Sequence, residues 1–195
     1  MKKLLMIFFS LFIVCSKKME YKDPVWKIGQ TVEYKVKSMN WGTYKLSYSI
    51  FDKENDMYWI ELKGNNGVRD IFVFQFLTPI HFRGKVSKQI LKIEDNPPVL
   101  LESELAYDIP MNIPLKIILK NNIKDGKNVN VKTIAGMFNS IRYERNKDTL
   151  WVNPEIPITG IVKISGNENW ELVNYSNTGA KSSITEKPVK PKLNF

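Results

Sequence analysis

Short stretches of strictly alternating apolar and polar residues constrain this chain more than any other feature. Val32, Tyr34 and Val36 fall on one side of an extended segment, and Tyr44, Leu46, Tyr48 and Ile50 on one side of the next. Successive side chains of a strand point to opposite faces, so a period of two marks a strand with one face in a core. Ser38, Met39, Asn40, Trp41 and Gly42 between these segments read as a hairpin connection. The polar run 52–56 is the next turn. Tyr58, Ile60 and Leu62 resume the alternation, and Gly64-Asn65-Asn66-Gly67 ends it. Residues 68–77 are more continuously apolar, which fits a strand buried on both faces or a short helix; periodicity alone does not separate the two. Glu94-Asp95-Asn96-Pro97-Pro98 is a break. Three prolines, Pro98, Pro110 and Pro114, argue against long central strands in 99–119. Alternation returns with Val129 and Val131 and continues through 141–144, 149–152, 160–164 and 170–175.

No segment shows three turns of amphipathic helix, and no long-period repeat is present. Ten to twelve short strands with a turn about every ten residues predict an all-β fold. The expected architecture is a single strongly curved antiparallel sheet, a half-barrel or barrel, with few short helices. Residues 25–185 form this domain, and residues 186–195, with Pro188 and Pro191 among lysines, read as a flexible C-terminal tail.

The chain opens with Lys2 and Lys3, then an apolar run over 4–14 that stops at Cys15, the only cysteine. A basic start followed by a short apolar run is the pattern of a secretory signal. The run is too short to cross a bilayer core of about 30 Å as a helix. A cysteine at that boundary resembles a bacterial lipoprotein signal, although Phe12 and Val14 stand where such signals prefer Leu and a small residue. The resemblance implies a signal peptide over 1–14, an acylated Cys15, and a polar tether over 15–24. Ordinary cleavage before Lys17, which would discard Cys15, is the alternative. Either way the expected location is the bacterial cell envelope, on a membrane facing the periplasm or secreted into the periplasm. No second cysteine exists for an intrachain disulfide, which suits a large core better than a small stapled module.

The net charge is +9, yet the lysines are scattered singly among apolar residues, as at Lys35, Lys37, Lys45 and Lys132. Such spacing marks solvent-facing strand positions and protected sheet edges. The basic surface is therefore expected to favour anionic membranes rather than nucleic acid.

In the second half, Ala135-Gly136-Met137-Phe138 precedes one strand. Leu150-Trp151-Val152-Asn153-Pro154 and Ile156-Pro157-Ile158-Thr159-Gly160-Ile161-Val162-Lys163 follow, and then Trp170-Glu171-Leu172-Val173-Asn174-Tyr175. This order resembles the LolA-like, lipoprotein-carrier half-barrels of bacterial envelopes over residues 130–184. That resemblance implies a half-barrel fold and a hydrophobic cargo, with no catalytic residues.

Chemistry-bearing clusters are sparse. His81 is the sole histidine, which excludes histidine-rich zinc sites. Asp52, Glu54 and Asp56 alternate in a turn without the remaining ligands of a calcium loop. Asp70, Glu94 and Asp95 are candidate paired carboxylates with nothing in the sequence to set them across a cleft. No metal or cofactor is expected. Aromatics crowd one third of the chain, and Trp59, Phe74 and Trp151 are the expected lining of a lipid or acyl-chain cavity. The leading expectation is a non-catalytic protein, held to the membrane by acylated Cys15, that binds or carries a lipid or lipoprotein. Its rival is a structural or interaction module with a filled core; a hydrolase is the third option.

Overall fold

The computed structural model describes residues 22–82, 86–101, 126–145 and 147–190. Cys15 and the signal segment lie outside them, as do most of the proline-interrupted stretch 99–119 and residues 191–195. Eleven strands form one sheet: β1 (Thr31–Ser38), β2 (Gly42–Glu54), β3 (Met57–Asn65), β4 (Asp70–Pro79), β5 (Lys88–Ile93), β6 (Val99–Leu101), β7 (Lys127–Thr133), β8 (Gly136–Arg145), β9 (Asp148–Val152), β10 (Ile161–Ser165) and β11 (Glu168–Ser176). Ile80–Phe82 is a short 3-10 turn. The spatial order is β6-β5-β4-β3-β2-β1-β11-β10-β9-β8-β7, with every neighbouring pair antiparallel.

The all-β, single-sheet expectation holds, but the sheet is not closed into a barrel. Closure needs a ladder between the terminal strands β6 and β7. Instead, β6 takes Val189 on its second edge through a parallel bridge, with the Leu100 amide donating to the Val189 carbonyl at 2.9 Å and the Val189 amide to the Pro98 carbonyl at 2.9 Å. The ambiguous 68–77 segment is a strand, and Val73 through Thr78 are buried on both of its faces.

Alternation assigns the faces. Val32, Tyr34 and Val36 of β1 are fully buried, and Leu46, Tyr48 and Ile50 of β2, Ile60 and Leu62 of β3, and Trp170 and Leu172 of β11 join them. We call this the apolar face. Tyr34, Tyr48 and Trp170 pack at its centre with ring centroids 5.5–6.5 Å apart. Burial, with Tyr34, Tyr44 and Glu168 close by, pushes the Tyr48 phenol well above its usual range; burial and Glu168 hold Tyr44 at about 12.

The connection between β9 and β10, residues 153–160, turns inward onto this face instead of looping into solvent. Ile156 and Ile158 are buried at its tip, and hydrogen bonds around Tyr34 help hold it. The Ile161 amide donates to the Thr159 hydroxyl oxygen at 3.2 Å, and the Tyr34 hydroxyl donates to the Ile161 carbonyl at 2.9 Å. The Tyr34 and Thr159 hydroxyls also contact each other. A phenol has one proton, already given to Ile161, so Thr159 is the donor in that contact. Ile158 pays for its position with a left-handed backbone, φ 66°, unusual for a β-branched residue. Its carbonyl receives the Trp26 indole N–H at 2.9 Å, which pins the segment preceding β1 over the same loop.

The opposite face carries a second device. Beyond β11 the chain passes Gly29, whose carbonyl accepts the Ala180 amide at 2.9 Å, and then crosses the outside of β3, β4 and β5. Gly29 has φ 97° and lies so near Gly179 that a side chain there would press on its backbone. Under this strap, Glu61 and Gln75 are buried cross-strand partners. The Gln75 amide donates to the Glu61 carboxylate at 2.7 Å and to the Ser182 hydroxyl at 2.7 Å, and the Ser183 backbone amide donates to Glu61 at 2.9 Å. Glu186 meets Lys92 at 2.5 Å before Val189 reaches β6. Glu186 and Val189 thus contact the sheet, and residues 191–195 of the expected 186–195 tail lie outside the described residues. An unpaired strand edge and a buried carboxylate both recruit backbone donors.

Two outcomes are expected. Tyr34→Phe strands the Thr159 hydroxyl and the Ile161 carbonyl in the core and should lower stability by about 1–3 kcal/mol, read from urea unfolding. Truncation after Lys181 removes the Ser183 donor to Glu61 and the Ser182 acceptor of Gln75 and should cost about 1–3 kcal/mol. Truncation after Ile184 should cost less than that but expose the β6 edge, seen as self-association in sedimentation velocity. Equal losses in the two truncations would show that Ser182 and Ser183 do not hold the strap.

Candidate functional site

The apolar face is unevenly filled. On β1, β2, β9, β10 and β11 it is packed solid by the aromatic trio and the inward loop. On β3 to β6 it is more open. In one row Leu62 faces Phe74 and Phe74 faces Leu91; in the next, Gly64 faces Phe72 and Phe72 faces Ile93. Phe72, Leu91 and Leu101 are only half-buried, and Ile93 is 51% exposed. Gly64 makes this possible, because a Cβ there would overlap the Phe72 ring. Phe74 stacks on Phe76 with centroids 5.5 Å apart. This arm is therefore a broad aromatic and aliphatic surface.

One polar group on it stands out. Gln89 on β5 lies opposite Phe76 on one side and Leu101 on the other, which places it on the apolar face. It is 3% exposed, and its Oε1 has no hydrogen-bond partner among the described residues. A buried amide oxygen left unpaired costs about 1–3 kcal/mol, so an orphan at this position is a strong sign of a missing donor.

The three expected cavity residues do not converge. Phe74 is on the arm. Trp59 alternates with Ile60 and so faces the opposite side, where it packs on Phe51 at 6.1 Å and its indole N–H reaches the Glu54 carboxylate at 3.4 Å. Trp151 alternates with Leu150 and Val152 and also faces outward, between the Arg142 guanidinium and the Lys163 ammonium, each 5.9 Å from its ring. Phe72, one of the crowded aromatics, accompanies Phe74 together with Leu91 and Gln89, which nothing in the sequence singled out. Their signal was parity with Phe74 across the ladder, which requires knowing the register.

The carboxylate candidates resolve differently. Asp70, Glu94 and Asp95 do line one groove of about 180 Å³ with Arg69 and Lys92. Within it, Glu94 pairs with Arg69 at 2.9 Å, and Asp70 is met by Lys63 at 3.7 Å and by the Asn65 amide at 2.8 Å. Glu54 pairs with Lys88 at 2.6 Å, which holds its carboxyl below the usual range, and Asp56 lies 3.9 Å from Lys53. His81 packs edge-on against Trp26 at 5.3 Å. Among the described residues, no three His, Cys, Asp or Glu side chains come together as metal ligands.

No protein-family model matches the chain, and no curated protein is significantly similar to it.

Proposed function

We propose that this chain is an exported, lipid-anchored protein of the bacterial envelope whose sheet curves into a half-barrel and binds or carries a hydrophobic ligand, without catalysing a reaction. The observation that carries this reading is the apolar arm of β3 to β6, half-open and holding the Gln89 oxygen, which has no partner among the described residues. Sites for amphiphilic ligands are mostly apolar, with few polar groups that fix orientation. A lipid ester has no donor to offer Gln89, whereas a lipid hydroxyl, a protonated headgroup amine or an N-acyl amide does. The half-barrel geometry and the carrier role follow from the resemblance over 130–184. The signal-like start supports the envelope location, and Cys15 supplies the anchor. Acyl chains contribute about 0.8 kcal/mol per buried methylene, so two or more chains give lasting attachment.

The rival interaction-module reading draws on the packed half of the core and on exposed Ile134 and Met137 at the turn between β7 and β8. Native mass spectrometry separates the two. The chain lacking residues 1–15, exposed to an envelope lipid extract, should carry a stoichiometric adduct that organic extraction removes. Gln89→Leu should reduce adduct occupancy at least about threefold while leaving unfolding unchanged or slightly more resistant, because removing an orphaned polar group is not destabilising. A folded protein with a clean mass contradicts ligand binding. The anchor has its own check: Cys15→Ser should move the protein from the membrane fraction to the soluble fraction, and wild type without incorporated acyl label contradicts it.

A further inference from the structure

The outward face carries a feature that neither the ligand arm nor the anchor uses. The register lines up one row of outward side chains across seven strands: Lys127 (β7), Arg142 (β8), Trp151 (β9), Lys163 (β10), Glu171 (β11), Lys35 (β1) and Lys45 (β2). Each is the direct cross-strand partner of the next. Six inter-strand steps of about 4.8 Å make the row about 29 Å long along the sheet. Five members are cations and one is a carboxylate. Lys35, Lys45 and Lys127 are exposed, and none of the three forms an ion pair among the described residues. Like charges placed directly opposite each other, as Lys35 and Lys45 are, destabilise a sheet. Arg142 is also engaged by Glu144, and Glu33 lies on the same face.

We infer that this row is a docking surface for an anionic lipid bilayer. Charge complementarity selects an anionic partner, and the apolar groups beside the cations select a membrane. Trp151 sits in the middle of the row with a cation on either side, and tryptophan prefers the membrane–water interface. Beside the Lys35 end, a groove of about 290 Å³ is walled by Val173 and Ile134, with Lys35 and Lys45 at its edge. Ammonium groups flanking an apolar groove match a phosphate headgroup and the first carbons of its chains. Ile134, in the wall of this groove, is 57% exposed, placed to enter the headgroup layer. The row lies on the face away from Phe74 and Gln89, so docking leaves the apolar arm facing away from the membrane. It stands whether or not that arm takes a ligand.

Flotation of the full chain with vesicles tests this, comparing neutral phosphatidylcholine with phosphatidylcholine containing 30% phosphatidylglycerol. Binding to neutral vesicles accounts for the apolar contribution of residues 1–21, and their lysines are the same in every variant compared. At low salt, Lys35→Gln with Lys163→Gln should reduce the phosphatidylglycerol-dependent part of the partition coefficient on the order of 30-fold. Lys53→Gln with Lys187→Gln, the same change in net charge elsewhere, should change it less than about threefold. Equal losses in both double variants, or binding indifferent to phosphatidylglycerol, overturn the inference. Capture of a single-stranded oligonucleotide without capture of anionic vesicles does so too, and assigns the row to nucleic acid. All four positions are exposed or half-buried surface lysines, and matching melting curves exclude misfolding as the cause.

Discussion

The Tyr34 hydroxyl is the constraint on which the packed half of the molecule depends. An antiparallel sheet with one apolar face must bury that face against something. Here the filling comes from the sheet's own β9–β10 connection, drawn inward and closed by the Tyr34–Thr159–Ile161 ring of hydrogen bonds. The ring explains why a buried loop is tolerated, since the polar groups that inward folding takes from water are returned to partners. It also explains why a β-branched residue is held at positive φ: Ile158 is locked by its buried side chain and by Trp26 on its carbonyl. Removing backbone freedom here fixes where β10 begins, and with it the register of β10 against β9 and β11.

The remainder of the sheet follows from how its two faces and two ends are dealt with. The C-terminal strap takes care of the outside of β3 to β5 and the β6 edge together, using serines, one backbone amide and the Val189 bridge. That leaves one apolar region without equivalent filling among the described residues, the inner side of β3 to β6. The proposed ligand site is thus the part of the sheet that the fold's own devices do not serve. The cationic row occupies the other face, so a bilayer and a hydrophobic ligand would be met by opposite sides of one sheet.

Much of this fold was legible because alternation survives in nearly every strand. Val32, Tyr34 and Val36 and the break at 94–98 appear where the pattern places them, whereas the polar turn expected over 52–56 shrinks to Asn55 and Asp56 because 52–54 pair with β3. The same parity argument also held the correction to the cavity residues. Placing Tyr58, Ile60 and Leu62 on one face already puts Trp59 on the other, and Leu150 and Val152 do the same for Trp151. Aromatic size drew attention to these two tryptophans where position should have decided. What the sequence could not disclose are contacts made across long separations. Glu61 finds Ser183, and Tyr34 finds Thr159, more than a hundred residues away. The cationic row is of the same kind: its lysines look scattered along the chain because each comes from a different strand, and only the register makes them neighbours.

Hydrogen–deuterium exchange of the protein with and without envelope lipid tests most directly the division of the sheet into a packed half and a ligand-receiving half. Amides of β1, β2, β10 and β11 should be strongly protected in both states, and added protection should concentrate in β4, β5 and β6 when lipid is present. Exchange unchanged by lipid, or protection gained on β1 and β11 while β4 to β6 stay as they were, would contradict it.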